Sequence, residues 1–309
     1  MIDTIIHVAL LLVFPPLLLG VINKTKALYA GRVGAPFLQP YFDITKLLRK
    51  GMVLSSTTTW IFRAAPVVTL ASVIAAGLMV PLGSAPPLVA FTGDFLLFSY
   101  LFALARFFTT GAALDTGSAF EGMGAAREVT FAALTEPATF FAFLVLSRLT
   151  GSLSLGGMLG AASAAGAVGS AGFAAGSVAP LVMIAIGLFI VLLAENSRIP
   201  VDDPNTHLEL TMIHEVMILD HSGPLLGIIE YASSMKFLIL GSVLLDVVMP
   251  ESTRGQWVGW LVYLGGMLGL SFIVGTIESI MGRLRMIHVP ILLIAAILVC
   301  GSAFIMVVR

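Results

Sequence analysis

The chain has 309 residues, of which 58% are hydrophobic and 11% charged, with a mean hydropathy of +1.04 and a formal net charge of −1. Soluble globular domains are about half apolar and about one quarter charged, so this composition excludes that class. The small net charge gives no indication of a nucleic-acid partner. We therefore expect an all-α integral membrane protein that lies in a lipid bilayer.

Apolar stretches of about 20 residues, the length that crosses a bilayer, recur along the chain. They predict about eight transmembrane helices in a single membrane domain, 1–309. The predicted spans are 3–22, 64–82, 95–113, 129–149, 179–195, 228–249, 257–280 and 288–308. The first lacks the features of a secretory signal, which indicates a retained span. Its Pro15 and Pro16 remove backbone hydrogen bonds, so neighbouring helices must compensate.

Lysine and arginine are concentrated in the connections that follow odd-numbered spans. Loop 23–63 contains Lys24, Lys26, Arg32, Lys46, Arg49, Lys50 and Arg63, whereas 83–94 and 151–178 contain no lysine or arginine. The positive-inside rule then predicts that both termini lie outside and that 23–63 and 194–227 are cytoplasmic loops. The small-residue segment 151–177 is expected to be a flexible tether.

The run 194–224 holds ten ionisable side chains, including three of the five histidines. Asp203 and Pro204 are typical of a helix start, and the signals predict a helix over 204–220. On that helix His207, His214 and His221 form a stripe. Neighbouring members are about 10.5 Å apart, too far to share a metal. The run 194–224 has two interpretations. It is either a loop whose charges are solvated, or a segment that exchanges protons and faces a partner.

Ionisable residues also occur inside the predicted spans, where they usually mark ion pathways. Glu136 precedes Pro137 in the fourth span, and Lys236 lies deep in the sixth, where its partner must come from another helix. The nearby carboxylates are Glu128, Glu136, Glu195, Asp202, Glu209, Glu230 and Glu278, against Arg127, Arg198 and Lys236. This surplus favours protonation chemistry over purely structural ion pairs.

Metal chemistry has little support in the sequence. Cys300 is the single cysteine, so the chain alone cannot build an iron–sulfur cluster. His214 and Glu215 begin a zinc-protease motif, but Ile218 stands where the second histidine belongs. We expect no metal site and no cofactor on this chain.

Several sequence blocks resemble a known family almost from end to end. They are GRVGAPFLQPYFDITKLLRKG at 31–51, LDTGSAFEGMGAAREVTFAALTEP at 114–137, LLAENSRIPVDDP at 192–204, DHSGP at 220–224 and IESIMGRLRM at 277–286. Together they resemble the complex I subunit 1 family, more closely the membrane anchor of formate hydrogenlyase and other group 4 nickel–iron hydrogenases. Block 114–137 is the part of the sequence that resembles the hydrogenase membrane anchors rather than the complex I subunits.

The resemblance implies a non-catalytic membrane subunit of a proton- or sodium-translocating oxidoreductase in a prokaryotic inner membrane. Iron–sulfur clusters and a nickel–iron centre would belong to peripheral hydrogenase-like large and small subunits, and antiporter-like subunits would be the membrane partners. The implied ion pathway is Glu128, Glu136, Glu195, Asp202, Glu209, Glu230, Lys236 and Glu278. The implied docking or coupling residues are Arg32, Asp43, Lys46, Asp115, Arg127, Arg198, Asp203, His207, His214, Asp220, His221, Arg283 and Arg285.

Two other functions remain open from the sequence. A complex I subunit that helps to form a quinone site is the first, and block 114–137 argues against it. A free-standing secondary transporter is the second. Such transporters often contain inverted repeats, and no internal repeat is visible here.

Overall fold

A computed structural model describes residues 2–166, 178–202, 212–249 and 257–308. Every regular element in these ranges is a helix. The helices are α1 (Ile2–Val13), α2 (Pro15–Tyr29), α3 (Gln39–Arg49), α4 (Trp60–Gly77), α5 (Asp94–Asp115), α6 (Ala119–Thr150), α7 (Leu155–Gly166), α8 (Val178–Glu195), α9 (His214–Met217), α10 (Gly223–Val248), α11 (Trp257–Ile280) and α12 (Val289–Val308). The predicted all-α class is confirmed.

Seven helices among the described residues are long and apolar enough to cross a membrane, and an eighth span results if the bent pair α1 and α2 counts as one. The prediction of about eight spans is thus confirmed. Helix α10 is the most buried of them and packs against α2, α4, α8 and α11. It therefore forms the centre of the bundle, with α4 and α5 on one side and α6, α8 and α12 on the other.

The first span bends by 47° at Pro15 and Pro16. Pro16 has no N–H to donate to the carbonyl of Leu12, and the hydroxyl of Tyr231 in α10 donates to that carbonyl instead, at 2.6 Å. A second hydroxyl, from Tyr41 in α3, donates to the carbonyl of Val13. Both replacement donors come from other helices, which confirms the predicted compensation.

The segment 151–177 is not a simple tether, because its first half forms α7. The amide of Leu155 donates to the buried carboxylate of Asp94 at 2.5 Å, and this fixes the start of the helix. Leu155, Met158 and Leu159 are fully buried. Their i, i+3, i+4 spacing gives a short apolar stripe that packs on the bundle. The prediction of a flexible tether is therefore wrong for 155–166, and 167–177 lies outside the described residues.

Three connections meet at one end of the bundle. The hydroxyl of Ser222 bonds both to the amide and to the carbonyl of Val53, at 3.1 Å each. The amide of Leu284 donates to the carbonyl of Pro200 at 3.0 Å. We name the end formed by 30–59, 196–202, 212–222 and 281–288 the loop end. These connections share one side, as the alternation of spans requires, and its cytoplasmic orientation stays a prediction.

Candidate functional site

Arg106 of α5 lies at the centre of a group of charges inside the bundle. Its Nη1 is 2.6 Å from Glu136 Oε1 and its Nη2 is 2.5 Å from Glu195 Oε1. Its Nε is 3.5 Å from Glu128 Oε1. Lys236 of α10 reaches the same group from another side, with its Nζ 2.6 Å from Glu195 Oε2. We name these five residues the Arg106 cluster.

The cluster joins four helices, because Glu128 and Glu136 lie on α6 and Glu195 ends α8. Glu195 has partners on both oxygens, since Thr135 also donates to its Oε1 at 2.8 Å. The expectation that Lys236 pairs with a residue from another helix is confirmed. Removing one member of a buried ion pair typically costs about 3–5 kcal/mol, so these contacts fix how the helices sit relative to one another.

Three of the cavities that border the Arg106 cluster lead to other parts of the bundle. One, of about 410 Å³, extends past Ser99 and Thr139. A second, of about 610 Å³, runs to Asn196, Ser197 and His214 at the loop end. A third, of about 280 Å³, is lined by both Glu195 and Asp202. Each volume includes space open to the exterior. Two of these cavities therefore extend from the cluster to residues of the loop end.

A second set of ion pairs holds the loop end together. Lys26 Nζ lies 2.9 Å from Glu278 Oε2, and Arg198 Nη1 lies 3.4 Å from Glu278 Oε1. Arg283 Nη2 lies 2.9 Å from Asp202 Oδ1. We name these five residues the loop network. Both acids are buried, so each needs its basic partner to offset the cost of burial.

The segment 212–217 is held by α6 and by Asp202. Oδ2 of Asp202 accepts the amides of Ile213 and His214 at 3.0 and 3.2 Å. Arg127 donates to the carbonyl of Met212 at 2.8 Å. Gly124 permits the close approach, because a Cβ there would overlap Val216 Cγ1. The loop network and α6 thus position the same short segment.

The predicted helix over 204–220 is wrong where the structure describes it. Only α9, a single turn at 214–217, is helical, and 218–220 form a turn. The apolar residues Ile213, Val216, Met217 and Ile218 are all buried. On a helix Ile213, Val216 and Met217 would share one face and Ile218 would lie about 100° from Met217, whereas the turn buries all four. Residues 212, 213 and 216–218 are therefore enclosed by protein.

The histidine stripe does not form with that helix. His214 lines the 610 Å³ cavity, whereas His221 stacks on Phe62 with ring centroids 3.9 Å apart. Burial lowers the pKa of each imidazole to about 4, so both are neutral at pH 7. His207 lies outside the described residues, as do Asp203 and Glu209.

Glu215 is an acid at the loop end with a pKa near neutrality. Burial, reinforced by the nearby carboxylates of Glu230 and Asp202 and opposed by Arg198, raises its pKa to about 7. It therefore exchanges a proton in the physiological range.

The remaining predicted docking residues lie in different surroundings. Arg32, Asp43, Lys46, Asp220 and Arg285 are exposed at the loop end. Asp115 is used internally, since its Oδ2 accepts the amide and hydroxyl of Thr59 at 2.6 and 3.0 Å. That contact ties the start of α4 to the end of α5.

Sequence reasoning missed four residues of these networks. Arg106 is the most important, and its signal was plain, because an arginine in a predicted span marks a functional site by default. The sequence marks Lys26 only as one of the basic residues that set the orientation of the loop 23–63. In the sequence Glu215 stands out only as the second residue of an incomplete zinc-protease motif. Glu121 is buried and accepts the amide of Asp220 at 2.9 Å, and no sequence signal pointed to it.

Comparisons with known proteins support the resemblance. Formate hydrogenlyase subunit 4 of Escherichia coli (strain K12) is 27% identical over 286 residues, covering 91% of this chain and 86% of that protein. Hydrogenase-4 component C of the same organism is 29% identical over 241 residues, covering 78% and 73%. An NADH-quinone oxidoreductase subunit of Paraburkholderia xenovorans (strain LB400) is 23% identical, covering 77% and 67%.

A chain from the structure of the membrane-bound sulfane sulfur reductase, an archaeal respiratory membrane complex, has the same fold. Its TM-score is 0.82 at 18% identity, with 99% of this chain and 98% of that chain covered. The family model described as NADH dehydrogenase matches residues 2–309. The resemblance seen in the sequence blocks is confirmed, and the chain belongs to the NADH dehydrogenase family that includes complex I subunit 1.

Proposed function

We propose that this chain is the non-catalytic membrane subunit of a proton- or sodium-translocating oxidoreductase complex in the cytoplasmic membrane of a prokaryote. It anchors a peripheral redox module at the loop end and couples electron transfer to ion movement through the Arg106 cluster. The names of two relatives, subunits of formate hydrogenlyase and hydrogenase-4, support this assignment. The peripheral partners in the proposal are hydrogenase-like large and small subunits, which carry the iron–sulfur clusters and a nickel–iron centre.

The observation that carries the proposal is the connection between the two charge networks. Glu195 of the Arg106 cluster and Asp202 of the loop network line the same cavity of about 280 Å³. Asp202 in turn binds the amides that begin segment 213–217. A displacement of that segment by a docked subunit would move Asp202, and this would change the electrostatic surroundings of Glu195.

The Arg106 cluster is suited to respond to such a change. One guanidinium forms ion pairs with Glu128, Glu136 and Glu195. If Arg106 moves towards one carboxylate, another loses its counter-charge and its proton affinity rises. That carboxylate then binds a proton, which it releases when Arg106 returns. In this proposal the antiporter-like membrane subunits lie against the outer surface of α6, and the change in protonation of the Arg106 cluster is passed on to them there.

The docking surface in this proposal is the exposed part of the loop end. Helix α3 has no buried residue. Phe42 is 60% exposed and Val33 is 87% exposed, close to the basic residues Arg32 and Lys46. Exposed apolar and basic residues side by side are typical of a protein-binding surface.

Gentle purification from native membranes, followed by identification of the co-purifying subunits by mass spectrometry, tests the anchoring role. We expect peripheral iron–sulfur and hydrogenase-like subunits together with antiporter-like subunits. Isolation as a single chain that supports ion flux in liposomes would instead establish a free-standing transporter. Bound quinone, with activity blocked by quinone-site inhibitors, would establish a quinone-site subunit.

Coupling is tested in membrane vesicles that contain the whole complex. Glu136→Gln should leave assembly intact and reduce ion transport per electron transferred, because the side chain can no longer bind and release a proton. Asp3→Asn, a change at an exposed carboxylate at the start of α1, is the matched control. Unchanged transport in Glu136→Gln would remove Glu136 from the route.

A further inference from the structure

Glu136 differs from the other acids of the Arg106 cluster because its side chain is open to the outside of the bundle. It is 45% exposed, whereas Glu195 is 10% and Glu128 is 19% exposed. Its Oε1 contacts Arg106 on the inner side at 2.6 Å. The outer side of the carboxylate faces a groove on the surface of α6, lined by Ala133, Glu136, Pro137, Phe140, Phe141 and Leu144. We name it the α6 groove.

The α6 groove lies at membrane depth. Glu136 is in the middle of the 32-residue helix α6, and at 1.5 Å per residue it lies roughly 20 Å or more from either end. A carboxylate at such depth that faces hydrocarbon is costly. The groove must therefore be covered by a group that can donate a hydrogen bond.

A backbone acceptor lies in the same groove. Pro137 has no N–H, so the carbonyl of Ala133 lacks the donor that an uninterrupted helix would supply. Both Ala133 and Glu136 are exposed. The remaining walls are apolar, and the open space is about 820 Å³. Two acceptors between aromatic and aliphatic walls fit a transmembrane helix that carries one long, donating side chain.

The number of charges in the Arg106 cluster indicates which donating side chain the partner helix supplies. Within the Arg106 cluster, three carboxylates face two cations, Arg106 and Lys236. One further cation from outside would balance the group when all three carboxylates are ionised. Lysine suits the position, because its ammonium has three donors and no acceptor and its stem packs along apolar walls.

A second copy of this chain is a poor occupant. The groove contains no basic residue, so a twofold contact would bring two Glu136 side chains together. Exposed basic residues within the described spans lie close to helix ends, as Arg63 in α4 and Arg148 in α6 do. Neither is at the depth of Glu136.

We propose that the α6 groove is the docking site for a transmembrane helix of a different membrane subunit, which inserts a lysine side chain towards Glu136. This inference rests on the proposed function and specifies where the membrane partner binds. The helix places a cation from the partner in contact with a carboxylate that already shares Arg106.

The test uses a photo-reactive benzoylphenylalanine in the whole complex in native membranes. At Leu144, which is 41% exposed in the groove, we expect a cross-link to another membrane subunit. At Leu261, which is 69% exposed on α11, we expect lipid adducts only. Lipid adducts alone at Leu144, or a dimer of this chain, would overturn the proposal.

The identity of the donor is tested with two variants in the Leu144 background. Glu136→Gln keeps an acceptor and should keep the cross-link. Glu136→Lys places two like charges together, and the cross-link should fall by about tenfold or more. An unchanged yield in Glu136→Lys, or a cross-linked partner helix without lysine, would contradict the lysine contact. If cross-linking fails while Glu136→Gln still impairs transport, the docking site is wrong and the proposed function stands.

Discussion

The guanidinium of Arg106 and the carboxylate of Glu195 lie 2.5 Å apart and join α5 to α8 inside the bundle. The same guanidinium contacts Glu136 and Glu128 on α6. A single arginine in a predicted span therefore joins its own helix, α5, to the acids of two others, α6 and α8. Its removal leaves several acidic groups without their shared counter-charge.

Arg106→Met should lower the thermal stability of the purified complex strongly, by about 3–5 kcal/mol, because breaking a buried ion pair leaves uncompensated charges. Arg106→Lys keeps the charge but loses the planar fork that reaches several acids at once, so it should be intermediate. Thermal unfolding followed by tryptophan fluorescence provides the measurement. Equal melting temperatures for wild type and Arg106→Met would show that the Arg106 cluster does not contribute to the stability of the fold.

The two glycines near the start of α6 offer a matched pair of variants. A Cβ on Gly124 would overlap Val216 Cγ1 and would lie 3.0 Å from the carbonyl oxygen of Ile213. Gly124→Ala should displace segment 212–217 at a cost of about 1–3 kcal/mol. At Gly122 the nearest atom would be Leu114 Cδ2 at 3.9 Å, so Gly122→Ala should be harmless.

Hydrogen exchange in segment 212–218 distinguishes the two glycine variants. We expect faster exchange in Gly124→Ala and an unchanged rate in Gly122→Ala, together with a loss of redox-coupled transport only in the former. Similar behaviour of the two variants would mean that the contact with α6 does not position the segment.

Tyr231→Phe removes the hydroxyl that donates to the carbonyl of Leu12 at 2.6 Å. The carbonyl then lacks a donor, because Pro16 cannot supply one, and the expected cost is about 1–3 kcal/mol. Tyr100, which is 65% exposed on α5, gives the control variant Tyr100→Phe. The loss should appear in the melting temperature of Tyr231→Phe alone, and an equal effect of both changes would argue against a role at the bend.

Glu215 predicts a pH dependence of the loop end. Its pKa is raised from the ordinary 4.5 to about 7, so the folded segment is stabilised at acid pH and loses this contribution as the pH rises through 7. Between pH 6.5 and 8, local opening around 212–222 should increase by about fourfold after correction for intrinsic exchange. His214 and His221, with a pKa of about 4, stay neutral in this window.

Glu215→Gln should abolish that pH response, since the amide is neutral throughout. Peptides from α10 serve as an internal reference within each sample. A response of the same size in Glu215→Gln would assign the titration to another group.

The number of spans was predictable because each must supply about 20 apolar residues, and that requirement is local in sequence. The bend at Pro15 and Pro16 was predictable for the same reason, although its donors Tyr231 and Tyr41 were not, because they approach through tertiary packing. Helix α7 was missed because its glycines and alanines dominate the composition. The spacing of Leu155, Met158 and Leu159 was the signal.

The site was predictable only in part. Glu128, Glu136, Glu195 and Lys236 stand out in the sequence as intramembrane charges, and the structure brings them together around Arg106. The conformation of the loop after α8 was harder to predict from the sequence, because contacts with neighbouring elements determine it. Capping signals at Asp203 suggested a long helix, whereas the described part is a short turn fixed by Asp202 and Arg127.

Tyr231 and Lys236 lie on the same helix, five residues apart, which is about 7.5 Å along its axis. One binds the bend of the first span and the other binds Glu195. A rigid helix cannot slide at one of these points and stay still at the other. Any sliding of α10 that weakens the Lys236 contact must also strain the bend, so α10 links the charge cluster mechanically to the bent first span formed by α1 and α2.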